Sequence, residues 1–367
     1  MVLGLRVQKK ERRRKYDWTL LTIVFLLVGI GLLILYSTSA YNGEVKFHDS
    51  FYYLKKQAFA TILGIIMMFA MANIDYHRWQ RFAGAGYVAA LVLSTAVLFI
   101  GDEYNGSKRW LSLGPFSFQP SEYAKIAVIL FLSYTVMKQV KTIDRIATLA
   151  KIIGSILPIV GLVGSNNLST AVIILGIAII LIFVSSPKYA QFFTMGAIGT
   201  GFLGIFLALE SYRLERLAIR RNPEKFEKGY QTLQGLYAIG SGGLFGRGLG
   251  ESIQKLGFVP EAQNDMIFSI ICEELGLVGA VFIIVLFLIL IWRFFVIATH
   301  AKDLFGALIS AGAMGHIMIQ VILNIAVVTN SIPNTGITLP FISYGGTSVV
   351  FLLLEMGLVL SVSNLIE

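Results

Sequence analysis

Apolar stretches close to twenty residues long recur from residues 18–36 to residues 349–362, joined by short polar links. A helix rises about 1.5 Å per residue and the hydrocarbon core of a bilayer is about 30 Å thick, so stretches of this length are membrane spans. No water inside the bilayer is there to satisfy backbone N–H and C=O groups, which restricts such a chain to helices or a closed barrel. The runs are too continuous for the short alternating strands of a barrel. The expected fold is therefore an all-α integral membrane protein. Only 14% of the residues are charged, against about 25% in soluble domains, and the mean hydropathy is +0.75.

The basic links fix the orientation. Lys9-Lys-Glu-Arg-Arg-Arg-Lys15 precedes the first span, and basic loops recur at 75–81, 138–145 and 185–191. By the positive-inside rule these face the cytoplasm. The reading is about ten transmembrane helices at 18–36, 57–74, 82–100, 123–137, 152–163, 170–184, 192–209, 266–291, 304–328 and 349–362, with both termini cytoplasmic. Residues 1–367 form a single polytopic domain without a cleavable signal peptide. The spans at 152–163 and 170–184 are short, which suggests a broken helix pair lining a cavity. The net charge of +9 is scattered between spans, so it reports topology and contact with anionic membrane lipid, and no nucleic acid is expected. The single cysteine, Cys272, lies in an apolar run and excludes an intrachain disulfide or a cysteine metal cluster.

The long extracellular loop at 210–265, between spans seven and eight, departs from this pattern. It has a glycine-dense centre at 239–250 and closes on Glu261-Ala-Gln-Asn-Asp265, directly before the apolar run that starts at Met266. A carboxylate at the mouth of a span is either a helix-capping charge or a reactive group. With a helix starting at Asp265, the 100° step places Glu273 near the same face and Glu274 almost opposite. Glu122 and Lys125, three apart, suit a local ion pair or a polar cavity. Trp110 suits the interfacial aromatic belt as well as a substrate contact. Glu355 in mid-span has no evident partner, and the four histidines lack paired ligand spacing.

Four ordered blocks carry a family resemblance. They are Arg109-Trp-Leu-Ser-Leu-Gly-Pro-Phe-Ser-Phe-Gln-Pro-Ser-Glu122-Tyr-Ala-Lys125; Gln234-Gly-Leu-Tyr-Ala-Ile-Gly-Ser241-Gly-Gly-Leu-Phe-Gly with Gly248-Leu-Gly-Glu-Ser-Ile-Gln-Lys255; Pro260-Glu-Ala-Gln-Asn-Asp265-Met-Ile-Phe with Glu273-Glu-Leu-Gly276; and Thr335-Gly-Ile-Thr-Leu-Pro-Phe-Ile-Ser343-Tyr-Gly-Gly-Thr-Ser348. On a ten-span layout the chain resembles the SEDS family of peptidoglycan glycosyltransferases, closer to its FtsW and SpoVE branches than to RodA. The resemblance implies an inverting hexosyltransferase of the bacterial cytoplasmic membrane that polymerises lipid II on the outer face. It implies Asp265 as the catalytic carboxylate and a class B penicillin-binding protein, a transpeptidase, as partner. It offers Arg109, Trp110, Glu122, Lys125, Gln234, Ser241, Lys255, Glu261, Glu273 and Ser343 as substrate-binding or supporting residues.

The chemistry agrees. Joining a sugar hydroxyl to the anomeric carbon of a sugar pyrophosphate requires a base for the hydroxyl and positive charge for the leaving group. An aspartate is a weak base at its ordinary pKa of about 3.9, and burial would raise it. Arg109, Lys125, Arg216, Arg220, Arg247 and Lys255 are candidates to neutralise the pyrophosphate; a divalent cation is the alternative, and no organic cofactor is expected. The glycine cluster reads as tight turns and close backbone approach, with amides that could face phosphate. Where the family commonly has Pro-Asp-Leu-Gly-Thr, this chain has Asn166-Asn167-Leu-Ser-Thr170, which removes an acidic residue. A lipid II flippase and a non-catalytic scaffold for wall enzymes are the competing functions.

Overall fold

The computed structural model describes residues 16–104, 107–113, 116–186 and 219–366, together with Gly196, Gly201 and Gly204. The expected seventh span at 192–209 and the candidate Arg216 lie outside the described residues. Among these residues, helices α1 (Trp18–Phe47), α2 (Tyr52–Asn73), α3 (Trp79–Ile100), α4 (Pro120–Gln139), α5 (Ile146–Asn166) and α6 (Leu168–Ser185) precede the long segment. A short helix α7 (Tyr230–Gly242) lies within it, and α8 (Ile267–His300), α9 (Leu304–Val328) and α10 (Gly346–Ser363) follow. Nine of the described helices, all but α7, are long and apolar enough to cross a membrane.

Local chemistry sets the helix ends. Asp17 caps α1 by accepting from Leu20 N at 2.9 Å, and Asp303 caps α9 by accepting from Gly306 N at 3.0 Å. Burial alone would raise the Asp303 carboxyl, but hydrogen bonds from the Tyr76 hydroxyl, Gly306 N and His77 hold it below the usual carboxylate range. Helix α4 starts ahead of the expected 123: Pro120 occupies the first turn, where its missing N–H costs nothing, and Ser121 accepts from Gln119 Nε2 at 3.1 Å. Asn167, in the place of the family acid, caps α6 by accepting from Thr170 N at 3.2 Å.

One expectation changes. Helices α5 and α6 are 21 and 18 residues long and are separated by Asn167 alone, so they are two full spans packed together and not a broken pair. The break lies in α8, at Gly276 (φ 67°, ψ −167°), a conformation open essentially only to glycine. The outer link at 101–119, between α3 and α4, forms a small antiparallel sheet of β1 (Asp102–Tyr104), β2 (Ser107–Leu113) and β3 (Phe116–Phe118), with Trp110 opposite Asp102.

The buried apolar residues form two clusters. One joins α1, α2, α8 and α10 through residues such as Leu27, Met68, Phe287 and Leu353, and the other joins α3 to α6 through Val128, Ile159 and Ile177. Helix α9 contributes to both, with Phe305, Ile309 and Ile317 in the first and Leu308 and Ala311 in the second. A polar column on α9 therefore stands at the centre of the molecule.

Candidate active site

Asp265 sits in the turn before α8 and is only 8% exposed. Its Oδ1 accepts from Gln231 Nε2 of α7 at 3.3 Å, and its backbone O accepts from Asn324 Nδ2 of α9 at 2.9 Å. Asn324 Nδ2 also donates to Ile337 O at 2.7 Å, while Asn334 Nδ2 donates to Gln231 Oε1 at 3.2 Å. Two amide side chains thus stitch Asp265 to the 334–337 segment. Gly336, in a left-handed φ of 71°, lies beside the carboxylate: a Cβ there would stand 4.0 Å from Asp265 Oδ2, an ordinary contact distance.

The column continues inward along α9. Gln320 Nε2 donates to Thr338 O at 3.0 Å, and its Oε1 accepts from Lys125 Nζ at 3.2 Å and lies 2.9 Å from His316 Nε2. Lys125 Nζ pairs with Glu122 Oε1 at 3.0 Å, and His316 Nδ1 lies 2.7 Å from Glu355 Oε2. Glu122, Lys125, Gln320, His316 and Glu355 are all buried. Glu355 therefore has a partner after all, and the expected Glu122–Lys125 pair is one end of a five-residue network between α4, α9 and α10.

Other sequence-predicted residues are placed differently. Glu273 is wrapped by the loop before it: Ser252 Oγ, Ile253 N and Gln254 N donate to its carboxylate, and Arg247 Nε lies 3.7 Å away. Glu274 accepts from Ser37 Oγ of α1 at 2.7 Å and pairs with Lys255 Nζ, also at 2.7 Å. Both glutamates are 1% exposed, so they hold the loop to α8 and α1, and Glu273 does not look out on an open groove. Lys255 is engaged by Glu274, Ser37 and Gly250 O, which removes it from the cations free to meet a pyrophosphate.

The glycine cluster braces the break in α8. Arg247 N and Gly248 N donate to Glu273 O and Glu274 O at 2.9 and 3.0 Å, and Leu277 N and Val278 N donate to Gly243 O and Leu244 O at 3.0 and 3.1 Å. The backbone groups freed by Gly276 are thereby satisfied, as the membrane requires. These amides are occupied and do not face phosphate. A Cβ on Gly276 would lie 2.3 Å from Gly246 N, so the contact is main chain against main chain.

Glu261 adopts a left-handed φ of 49° at the rim, accepts from Asn264 Nδ2 at 3.0 Å and is half-buried. Ser343 is buried and accepts from Leu339 N at 2.8 Å, shaping the turn before α10. Gln234 is half-buried on α7, and the exposed Ser241 donates to Ala238 O of its own helix. Arg220 donates to Asn330 O at 3.3 Å.

Arg109 Nε donates to Asn166 O at 2.9 Å, and Asn166 Nδ2 returns a bond to Lys108 O at 2.7 Å. Lys108, Arg109, Ser121, Asn166 and Asn167 line a cleft between β2, α4 and α5, with Ser94 and Pro120. Ser169 Oγ donates to Thr335 O at 3.0 Å and ties the start of α6, beside that cleft, to the 334–337 segment. Among the described residues no group of three or more His, Cys, Asp or Glu side chains is arranged to hold a metal.

Gln231, His316, Gln320 and Asn324 were not singled out from sequence as site residues. The last three recur every fourth residue inside an apolar run, which puts them on one helix face. That spacing was the available signal.

Residues 17–366 match the family described as cell cycle protein, of FtsW, RodA and SpoVE type. The chain is 41% identical to stage V sporulation protein E of Bacillus subtilis, over 95% of this chain and 97% of that one. It is 35% identical to a probable peptidoglycan glycosyltransferase FtsW of Trichlorobacter lovleyi, over 97% and 95%. Among solved structures, a chain from work on the structural coordination of polymerization and crosslinking by a peptidoglycan synthase complex superposes with a TM-score of 0.81 at 30% identity, covering 95% and 97%. The rod shape determining protein RodA of Thermus thermophilus superposes with a TM-score of 0.70 at 29% identity, covering 95% and 96%.

Proposed function

The chain belongs to the FtsW, RodA and SpoVE family of multi-pass membrane proteins, and from that membership we propose that it is a peptidoglycan glycosyltransferase with Asp265 as general base. It polymerises lipid II into glycan strands at the outer face of the bacterial cytoplasmic membrane. The oxygen of the acceptor sugar hydroxyl forms a bond to the donor's anomeric carbon with inversion, and the bond from that carbon to the pyrophosphate breaks. The hydroxyl proton passes to Asp265, and the lipid-linked pyrophosphate leaves with the bonding pair.

The observation that carries this reading is the setting of Asp265. It is a nearly buried carboxylate, held from below by Asn324 and from the side by Gln231, facing the glycine at 336 where a substrate hydroxyl could approach. Such fixed geometry is what a general base needs. Lys108 and Arg109, which line the cleft between β2, α4 and α5, are the cations assigned to the leaving group, Arg109 being fixed there by its bond to Asn166 O, whereas Lys125 and Lys255 are paired with Glu122 and Glu274. No step of the reaction as written is assigned to a metal or an organic cofactor.

Lipid translocation loses one of its two supports, the interrupted spans, because α5 and α6 are each a continuous helix, and keeps the other, the polar residues buried within the spans. The partner is a class B penicillin-binding protein that crosslinks the strands, a reading supported by the synthase complex among the structural relatives. The test is polymerisation of lipid II by purified protein in liposomes. Asp265→Asn is expected to abolish product while keeping the thermal midpoint, and undiminished polymer from a folded variant overturns the assignment.

A further inference from the structure

The segment at 243–258 exposes Leu244, Phe245, Leu249, Ile253, Leu256 and Phe258, with Leu244 at 62% and Phe245 at 80%. Such a row would be costly in water. The helices it touches measure its depth. Arg293 of α8 makes a bidentate pair with Asp17 at the start of α1, at 2.6 to 2.9 Å, and the exposed Trp18 and Trp292 flank that pair. A charge pair ringed by tryptophan marks one edge of the hydrocarbon core. From Asp17 the helix climbs about 30 Å to Ser37, and from Arg293 the unbroken part of α8 climbs about 24 Å to Leu277, at 1.5 Å per residue. Ser37 and Glu274 are hydrogen-bonded at 2.7 Å, so Glu274, on the far side of the break, shares the level of Ser37, which the measure along α1 places at the opposite edge.

Leu277 and Val278 stand only about 22 to 24 Å above Arg293 on the same scale. Their N–H groups bond to Gly243 O and Leu244 O. The loop at 243–245 therefore lies several ångströms beneath the edge of the core on the Asp265 side. There it continues the exposed apolar face of α8 formed by Leu277, Val278, Val281 and Phe282. Its backbone is equipped for that depth, because Gly246 N also donates inward, to Gly242 O at 2.9 Å. Arg247, whose amide binds Glu273 O, sits at the edge itself and can extend its guanidinium to the headgroups. The far end of the loop is shallower. Gly257 faces the ring of Tyr41, which stands about 36 Å above Asp17 at headgroup level.

We propose that residues 243–258 form a membrane-inserted collar. Leu244 and Phe245 lie among the acyl chains of the leaflet on the Asp265 side, and the loop rises to the headgroups by Phe258. The occupant of this surface is phospholipid.

The test places a nitroxide on single cysteines introduced by Phe245→Cys, Leu244→Cys and Phe258→Cys. The background is Cys272→Ala, which removes the chain's one cysteine. Val281→Cys on α8 gives the lipid reference and the exposed Glu224→Cys the aqueous one. The protein is reconstituted alone in phosphatidylethanolamine and phosphatidylglycerol vesicles. Relaxation by oxygen, which concentrates in lipid, is compared with relaxation by a water-soluble nickel chelate. The expected oxygen-to-nickel ratio at residues 244 and 245 matches residue 281 and is several-fold above residue 224, with residue 258 between. A ratio at 245 equal to that at 224 overturns the proposal, as does shielding from both reagents, which would mean that protein covers the patch.

Discussion

Asn324 is fully buried and uses both protons of one amide nitrogen, on Asp265 O and on Ile337 O. Asn324→Leu leaves two buried carbonyls without donors, at a cost of about 1–3 kcal/mol each. It also frees the turn carrying Asp265, and small displacements of a reacting group cost up to about 100-fold in rate. The expected outcome is a kcat for glycan polymerisation lower by about 10- to 100-fold with KM for lipid II changed much less; an unchanged kcat in a variant that still melts cooperatively contradicts the role. At this scale the sequence marks Asp265 as a carboxylate closing a polar segment before an apolar run, and its proposed role as base comes from the family resemblance. Asn324 and Gln320 were harder to read, because their partners are backbone carbonyls of a distant turn. Glu273 was placed on the correct stretch but given the wrong surroundings, since the amides of Ile253 and Gln254 that bind it carry no side-chain signature.

The element that organises this side of the molecule is a broken helix with its brace. Gly276→Ala forces a side chain into φ 67° and onto Gly246 N, so it is expected to destabilise the protein by at least about 1–3 kcal/mol and to lower the thermal midpoint clearly. A midpoint within a degree of the parent would show that the break is dispensable. Lys255 and Glu274 make a different prediction. Their side chains are 8% and 0% exposed, so Lys255→Met leaves a buried carboxylate unpaired, at about 3–5 kcal/mol. Adding Glu274→Leu is expected to restore much of the stability, which a double-mutant cycle by thermal or denaturant unfolding measures. Hydropathy alone shows the run at 266–291 but not its break, because Gly276 lies within a stretch whose mean stays apolar despite Glu273 and Glu274, and a single glycine carries no hydropathy signal. It likewise could not show that 107–118 pairs into strands, where sheet register comes from contacts across the link.

For the whole molecule, span length gives the nine described spanning helices in their order, while the way they meet comes only from their packing. Helix α9 joins both apolar clusters, and its polar face is the shared wall of the network from Glu122 to Glu355. A central helix of that kind couples the two halves, so a partner that grips either half can alter the setting of Asp265. Co-reconstitution with a class B penicillin-binding protein is accordingly expected to raise the polymerisation rate of the purified chain; co-purification without any rise would favour a scaffold. The brace across Gly276 also bears on biogenesis. Residues 243–248 leave the ribosome before residues 273–278, so the carbonyls and amides that quench the break already exist when the helix reaches the bilayer. A circular permutant that delivers the loop last would have to bend α8 with those groups bare in lipid, which makes the order of synthesis part of how this chain reaches its fold.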